Sequence, residues 1–229
     1  LGPQPEFYVE SVCSSSSSGV KVAYSRIKAG LHDLGVVRGF QKMSEITSAE
    51  SQERMGRGAD IQWESPFGTM MPGYYALYAQ AYMAANGLTL DDLMNVRIKS
   101  GTYGQINERA VYRKGVSEAD FDPSNEKARM WGPVASPLRV GDCCANADGS
   151  SCIILASADR AKALCDKPVW IMGIGAASAS VNMVGRPDFT KGMQGPHIAS
   201  AEAYQMAGIT PADIDVAEVH DCFTIAEIM

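Results

Sequence analysis

A cysteine followed by five serines, "VESVCSSSSSG" at residues 9–19, opens onto a stretch of helical spacing. Near the other end, "VAEVHDCFTIAEIM" at 216–229 sets His220, Asp221 and Cys222 between a short apolar run and a second helical pattern. A thiolate is a nucleophile and a thiol is not, and a helix N-terminus lowers a thiol's pKa through its unpaired N–H groups and partial positive charge. Cys13 is therefore expected to be an ionisable nucleophile. Position alone favours the plainer reading, a small buried apolar residue. A neutral imidazole at His220 can donate a hydrogen bond to a developing oxyanion, and a thiol at Cys222 can carry a proton. The plainer reading of His220 is a satisfied core histidine at a strand end.

Positioning these groups requires strands that hand over to helices. Residues 6–12 read as a short buried strand, and from Ser14 a helix follows through Val20, Ala23, Tyr24, Ile27, Leu31 and Leu34. The serines supply N-caps, and Gly30 or Gly35 closes the far end. "LGVVRGF" at 34–40 returns as a strand, so the unit is strand–helix–strand and favours parallel pairing. Residues 44–73 read mostly as loop. Helices are predicted over 74–87, ended by Gly87, and over 89–101, with Thr89 and Asp92 spaced as a capping box. Residues 102–140 are rich in Gly, Pro and charge, with one short helix near Ser117, and form an excursion from the core. The core rhythm resumes with strand 150–157, helix 158–165, strand 168–178, helix 199–208 and strand 215–219, with Pro211 at a first-turn position before the last. The alternation is that of an α/β fold. In parallel α/β sheets the C-terminal strand ends gather at one edge where ligands bind, so Cys13 and the His220–Cys222 cluster are expected to converge on one pocket.

Bulk properties narrow the partners. A chain of 229 residues with 46% hydrophobic and 20% charged residues is ordinary for a globular protein with one large core. A net charge of −6 argues against nucleic acid, whose phosphates need a basic surface. No apolar run reaches the length of about 18 residues that a membrane span needs. The six cysteines, at 13, 143, 144, 152, 165 and 222, contain no C-x-x-C pair and accompany only three histidines, so no metal is expected. Reduced thiols and a cytoplasmic location fit this usage. Cys143 and Cys144 read as structural, Cys152 and Cys165 as buried packing thiols, and His32 as exposed. The chain begins "LGPQ" and stops within a helical pattern, so it is expected to be a fragment of a longer protein.

The motifs resemble the thiolase superfamily, specifically its sterol-carrier-protein-type and archaeal acetyl-CoA acetyltransferase branch. "ESVCSSSSSG", "VVRGFQKMS" and "WESPFG" are similar to that branch's nucleophile loop, following strand and loop region. "PLRVGDCCANADGSSCIIL" is similar to its D-C-x-x-x-x-D-G segment, and the final 38 residues from Gly192 carry H-D-C-F where other thiolases write N-E-A-F. The resemblance runs in order from residue 6 to 229. It implies a layered αβαβα fold that lacks the start of its N-terminal half and the end of its C-terminal half. Residues 1–43 would end the N-terminal half with the nucleophile loop. Residues 44–140 would be the loop domain covering coenzyme A, 141–166 would return to the N-terminal core, and 167–229 would begin the C-terminal half.

For function, the resemblance implies that Cys13 is acylated, that His220 helps build the oxyanion hole, and that Cys222 acts as acid/base. Met193, Gly195, Pro196 and His197 would contact the coenzyme A ester. The implied reaction makes or cleaves a carbon–carbon bond in a 3-oxoacyl-CoA, with coenzyme A as substrate. A benzoylsuccinyl-CoA-type substrate is one candidate, acetoacetyl-CoA another. Tyr74, Tyr75, Tyr78, Trp63, Met70 and Met71 would line an aryl pocket or, more plainly, pack a helix face. The alternatives within the branch are a retro-aldolase and a non-catalytic acyl-CoA-binding subunit. The resemblance also implies a homodimer or higher oligomer, and a small zinc-ribbon and OB-fold protein as candidate partner subunit. Two departures stand out. Ser16 replaces the glycine of the usual C-A-S-G, and the G-H-P histidine and C-x-G cysteine of the family do not occur in these 229 residues; "GPH" at 195–197 has another order. Both are expected in the remainder of a longer chain.

Overall fold

The computed structural model describes residues 6–186 and 188–229. In chain order its elements are helix α1 (Ser15–Lys28), strand β1 (Leu34–Lys42), helices α2 (Ser48–Gly56), α3 (Met71–Asn86) and α4 (Leu90–Ile106), strands β2 (Pro133–Ala135), β3 (Leu138–Arg139) and β4 (Asp148–Ala156), and helices α5 (Ala158–Leu164), α6 (Gln194–Ala207) and α7 (Thr224–Ile228). The chain divides into two units. One holds the residues up to Glu45 with Ala147–Ala177 and Ile198–Thr210, and the other holds Ile46–Asn146, Ser178–His197 and Pro211–Met229.

In the first unit β1 pairs with β4, Leu34 opposite Ala156 and Lys42 opposite Asp148. The parallel partner predicted for β1, residues 6–12, forms no strand, and the pairing observed, with β4, is antiparallel. The reason is the excursion: the chain leaves the end of β1 and re-enters at the start of β4 on the same edge, so the strands must run in opposite directions. Ser44 closes the stem, its N–H and hydroxyl donating to the two Asp148 oxygens at 2.9 and 2.6 Å. Those donors hold the Asp148 carboxyl below the usual carboxylate range, the hydroxyl contributing most.

Helix α1 covers one face of this pair. At Gly39 a side chain would stand 2.5 Å from Ser16 Oγ, so the missing Cβ makes room for the first turn of α1. The opposite face, bearing Leu34, Val36, Phe40 and Ile154, is exposed. Cys152 is exposed on β4 and Cys165 is exposed at the end of α5, which corrects their reading as buried thiols. Cys152 shares the uncovered face with Arg38, its register partner.

The segments read as strands at 6–12, 168–178 and 215–219 are not strands. An apolar β-pattern needs a neighbour to bond, and none of these has a ladder partner among the described residues. The 168–178 segment instead lies on α6. A Cβ on Gly175 would clash with the Ala199 carbonyl oxygen, and the Ala176 N–H donates to Glu202 Oε2 at 3.0 Å. His32, read as exposed, is half-buried beside the Arg26 guanidinium, 3.0 Å from its Nε2.

The second unit is built on α3 and α4. The Thr89–Asp92 capping box forms as predicted, and Gly87 ends α3 in the left-handed region at φ 69°. Helix α2, within a stretch read as loop, starts on a capping box of its own, Thr47 with Glu50. Leu93, Leu138 and Ile225 are fully buried and pack with Ala76, Ala79 and Phe223. Tyr75 stacks on the Phe223 ring at 4.3 Å. Tyr74 and Tyr78 are buried with Ala59 against Met183 and Phe189, while Trp63 is exposed. Helix packing, the plainer of the two readings, is what Tyr74 and Tyr78 do here.

Candidate active site

Cys13 sits in a single 3-10 turn, Val12–Ser14, immediately before α1. The residue ahead of it, Val12, has φ 52°, in the left-handed region that a β-branched side chain strongly disfavours. Holding it there costs about 1–3 kcal/mol, which the surrounding contacts must offset. Glu10 supplies them. Its Oε1 accepts from the Val12 N–H and from the Ser15 hydroxyl, both at 2.7 Å, while the Ser11 N–H donates to Ser15 Oγ at 2.8 Å. The serine run that looked like a row of cap candidates is thus part of a local clamp around the cysteine.

The Cys13 thiol is shifted upward from its ordinary value, opposite to the helix-mouth expectation. Desolvation is the main cause, partly offset by a backbone hydrogen bond. The residue as a whole remains exposed, so the groups nearest the sulfur are what disfavour the thiolate. The helix does not offset this because of distance along the chain. The helix field fades within its first turn, and the 3-10 turn places the sulfur ahead of α1 rather than on it.

Glu10 and Ser15 were not singled out by sequence reasoning. The available signal was an acidic residue three positions before the cysteine and a hydroxyl two after it. Hydrogen bonds, first from Ser15 and then from Val12, hold the Glu10 carboxyl below the usual carboxylate range. A carboxyl depressed in the folded state stabilises it above the unfolded pKa and loses that effect as pH falls through the folded value. The clamp is therefore complete at neutral pH and opens in acid. If Cys13 is the nucleophile that the resemblance implies, Glu10→Ala is expected to lower turnover about ten-fold with KM nearly unchanged, because a misaimed reacting group costs rate rather than binding. Steady-state kinetics beside the Cys13 alkylation rate measure this.

In the second unit the H-D-C-F segment is gripped by the 139–144 turn. Cys143 bridges Phe223 in antiparallel fashion, and the Cys144 N–H donates to the Cys222 carbonyl at 2.9 Å. Asp142, buried, anchors the grip. It accepts from the Arg139 N–H at 2.9 Å and from Arg139 Nε at 2.8 Å, and the Thr224 hydroxyl donates to it at 3.1 Å. The Arg139 guanidinium also lies 4.5 Å above the Phe121 ring and donates to Leu90 O at 2.8 Å. Asp221 accepts from Ser100 at 3.2 Å, which ties the segment to α4. The outcome is an exposed His220 beside a buried Cys222. Asp142 and Arg139 are further residues that sequence reasoning passed over; Arg139 donates to Asp142 three positions on through both its backbone N–H and its guanidinium.

Of the segment tied to the coenzyme A ester, Met193 packs against the cluster that contains Cys222 and Phe223. Gly195 is buried within the first turn of α6, and Pro196 and His197 are exposed there. Met193, His220 and Cys222 therefore share one unit, while Cys13 belongs to the other. Among the described residues no helix is long and apolar enough to cross a membrane.

Comparison with known proteins agrees with these motifs. Residues 175–229 match the family described as thiolase C-terminal domain-like. An acetyl-CoA acetyltransferase of Methanocaldococcus jannaschii is 33% identical over 98% of this chain and 55% of its own length. The benzoylsuccinyl-CoA thiolase subunit BbsB of Thauera aromatica is 29% identical over 100% and 56%. A 17-hydroxy-3-oxo-4-pregnene-20-carboxyl-CoA lyase of Mycobacterium tuberculosis is 29% identical over 90% and 54%. Among solved structures, the Ltp2-ChsH2(DUF35) aldolase has a TM-score of 0.74 at 22% identity, covering 96% of this chain and 55% of that one. The chain thus spans about half the length of the curated relatives it matches. With its mixed α/β fold and its H-D-C-F segment, the chain belongs to the thiolase superfamily, in the branch of the sterol-carrier-protein-type and archaeal enzymes.

Proposed function

We propose that this chain carries the nucleophile and the H-D-C-F machinery of an acyl-CoA C-acyltransferase of the thiolase type. The observation that supports it most directly is the strained Val12–Cys13 elbow, because strain of this kind is retained where the fold must aim a reactive group. In this reading the Cys13 thiolate attacks the carbonyl of an acyl thioester and the coenzyme A thiolate departs, leaving the acyl group on sulfur. The His220 imidazole donates to the thioester oxygen as negative charge develops there. Cys222 takes or returns the proton as a carbon–carbon bond forms by condensation or breaks by thiolysis. A thiol with a raised pKa needs a general base to ionise it, the task that the family resemblance gives to a histidine in a G-H-P triplet. Residues 193–197 and the 44–140 excursion would hold the coenzyme A moiety.

His220→Ala is expected to reduce kcat about 10²–10³-fold, the usual effect of one lost oxyanion donor, or roughly 3–4 kcal/mol of barrier. His220 is exposed, so the urea midpoint should not move. A drop smaller than ten-fold would remove it from the oxyanion hole.

A second reading, a retro-aldolase, is favoured by the M. tuberculosis lyase at 29% identity. A retro-aldolase does not require an acylated cysteine. Alkylation of Cys13 separates the two: protection by acyl-CoA and an acyl adduct on Cys13 belong to the acyltransferase, whereas turnover that survives alkylation belongs to the lyase. The same reading extends to assembly as a dimer or larger oligomer with a zinc-ribbon and OB-fold partner, in line with the DUF35 component named in the similar structure.

A further inference from the structure

The bridge between Cys143 and Phe223 sets a register that reaches one residue further. Moving forward one position on the first strand and back one on the second brings Cys144 opposite Cys222, and the 2.9 Å bond from the Cys144 N–H to Cys222 O joins that pair. Residues directly opposite in the hydrogen-bonded register have Cα atoms about 5.5 Å apart and send their side chains to the same face. Disulfides span Cα separations of about 4.4–6.8 Å. The two thiols also differ in access, Cys144 being exposed and Cys222 buried.

We propose that Cys144 and Cys222 form a reversible oxidation site, closed by a peroxide or by a small-molecule disulfide. With a peroxide, the exposed Cys144 thiolate attacks an oxygen of the oxidant, the O–O bond breaks, and Cys144 becomes a sulfenic acid while the peroxide is reduced to water. The Cys222 thiol then attacks the Cys144 sulfur, forms the S–S bond and expels a second water. With a small disulfide, the Cys144 thiolate attacks one of its sulfurs, its S–S bond breaks and one half leaves as a thiol; the Cys222 thiol then attacks the Cys144 sulfur and expels the second half as a thiol.

Cys143 is excluded by its surroundings. Its sulfur donates to Arg139 O at 3.4 Å, and burial, reinforced by the neighbouring Asp142 charge, pushes its thiol up to about 12. The site itself stands on the register alone. Its effect on turnover rests on the acid/base role proposed for Cys222, since the disulfide would consume that thiol.

The test is to treat the protein with hydrogen peroxide and, separately, with oxidised glutathione, then digest it without reductant and identify linked peptides by mass. The expected result is a peptide joining 144 to 222, lost on adding dithiothreitol, with turnover falling about a hundred-fold and recovering, as expected for a blocked proton carrier. Cys144→Ser should keep its basal turnover, form no such link and resist inactivation. Linkage without loss of turnover would uphold the oxidation site and remove Cys222 from the chemistry. A link from Cys144 to Cys143 or another cysteine, or over-oxidised Cys144 beside an unmodified Cys222, would overturn the proposal.

Discussion

Cys13→Ala is expected to abolish acyl transfer, lowering kcat by about 10⁴-fold or more while leaving the folded state intact. The size of the effect follows from the role. A covalent pathway splits one difficult step into two, and without the sulfur neither step has a substitute. Folding should survive because the residue is exposed and the turn is held by Glu10, Ser11 and Ser15. The serine replacement is the sharper control. It keeps the shape of the elbow but offers an alkoxide in place of a thiolate, so it should be almost as inactive. Mass spectrometry after incubation with acetyl-CoA provides the second readout: wild type carries an acyl group on the 13-containing peptide and both variants do not. Turnover within ten-fold of wild type would end the covalent reading and promote the retro-aldolase.

The second large effect is on stability. Asp142→Ala is expected to cost about 3–5 kcal/mol, the usual result of removing one partner from a buried ion pair. The Asp142 side chain is fully enclosed and that of Arg139 is 13% exposed, so solvent can do little to replace the lost carboxylate. The guanidinium would be left against Phe121 with only Leu90 O as acceptor, and the Thr224 hydroxyl at the start of α7 would lose its own acceptor. Urea denaturation should show a lower midpoint with an unchanged slope. A double-mutant cycle with Arg139→Met separates the two contributions. If removing both partners together is far less damaging than removing Asp142 alone, the cost lies in the stranded charge. A loss below about 1 kcal/mol would mean that the pair is solvated and does not anchor the H-D-C-F segment. Because Asp142 also accepts from the turn that carries Cys143 and Cys144, its loss should disturb Cys222 even in the fraction that remains folded.

Local signals were legible in the sequence wherever they depended on neighbours a few positions away. The capping box at Thr89, the left-handed glycine at 87 and the start of α1 all follow from short-range sterics and hydrogen bonding, whereas the apolar spacing carried the predicted helix to Leu34, past its end at Lys28. The identity of the branch was legible too, from the short motifs H-D-C-F and V-E-S-V-C, and a relative 33% identical over 98% of the chain bears it out. Helix α2 was hidden only because its capping box was outweighed by weak apolar periodicity.

What the tertiary structure decided was everything that depends on a distant partner. Residues 168–178 carry a good strand pattern, yet Gly173 and Gly175 let them lie against α6 rather than enter a ladder. The antiparallel pairing of β1 with β4 required an excursion of about a hundred residues to return to its own stem, which no local window contains. At the site, the types Cys, His and Cys were written in the sequence, but their conditions were not. Desolvation around the sulfur raised the Cys13 thiol, where its position before a helix was expected to lower it. A buried carboxylate at 142 came to hold residues 82 positions later. A residue's type is a local property, whereas its solvation and its hydrogen-bond partners are set by whatever the rest of the chain packs around it.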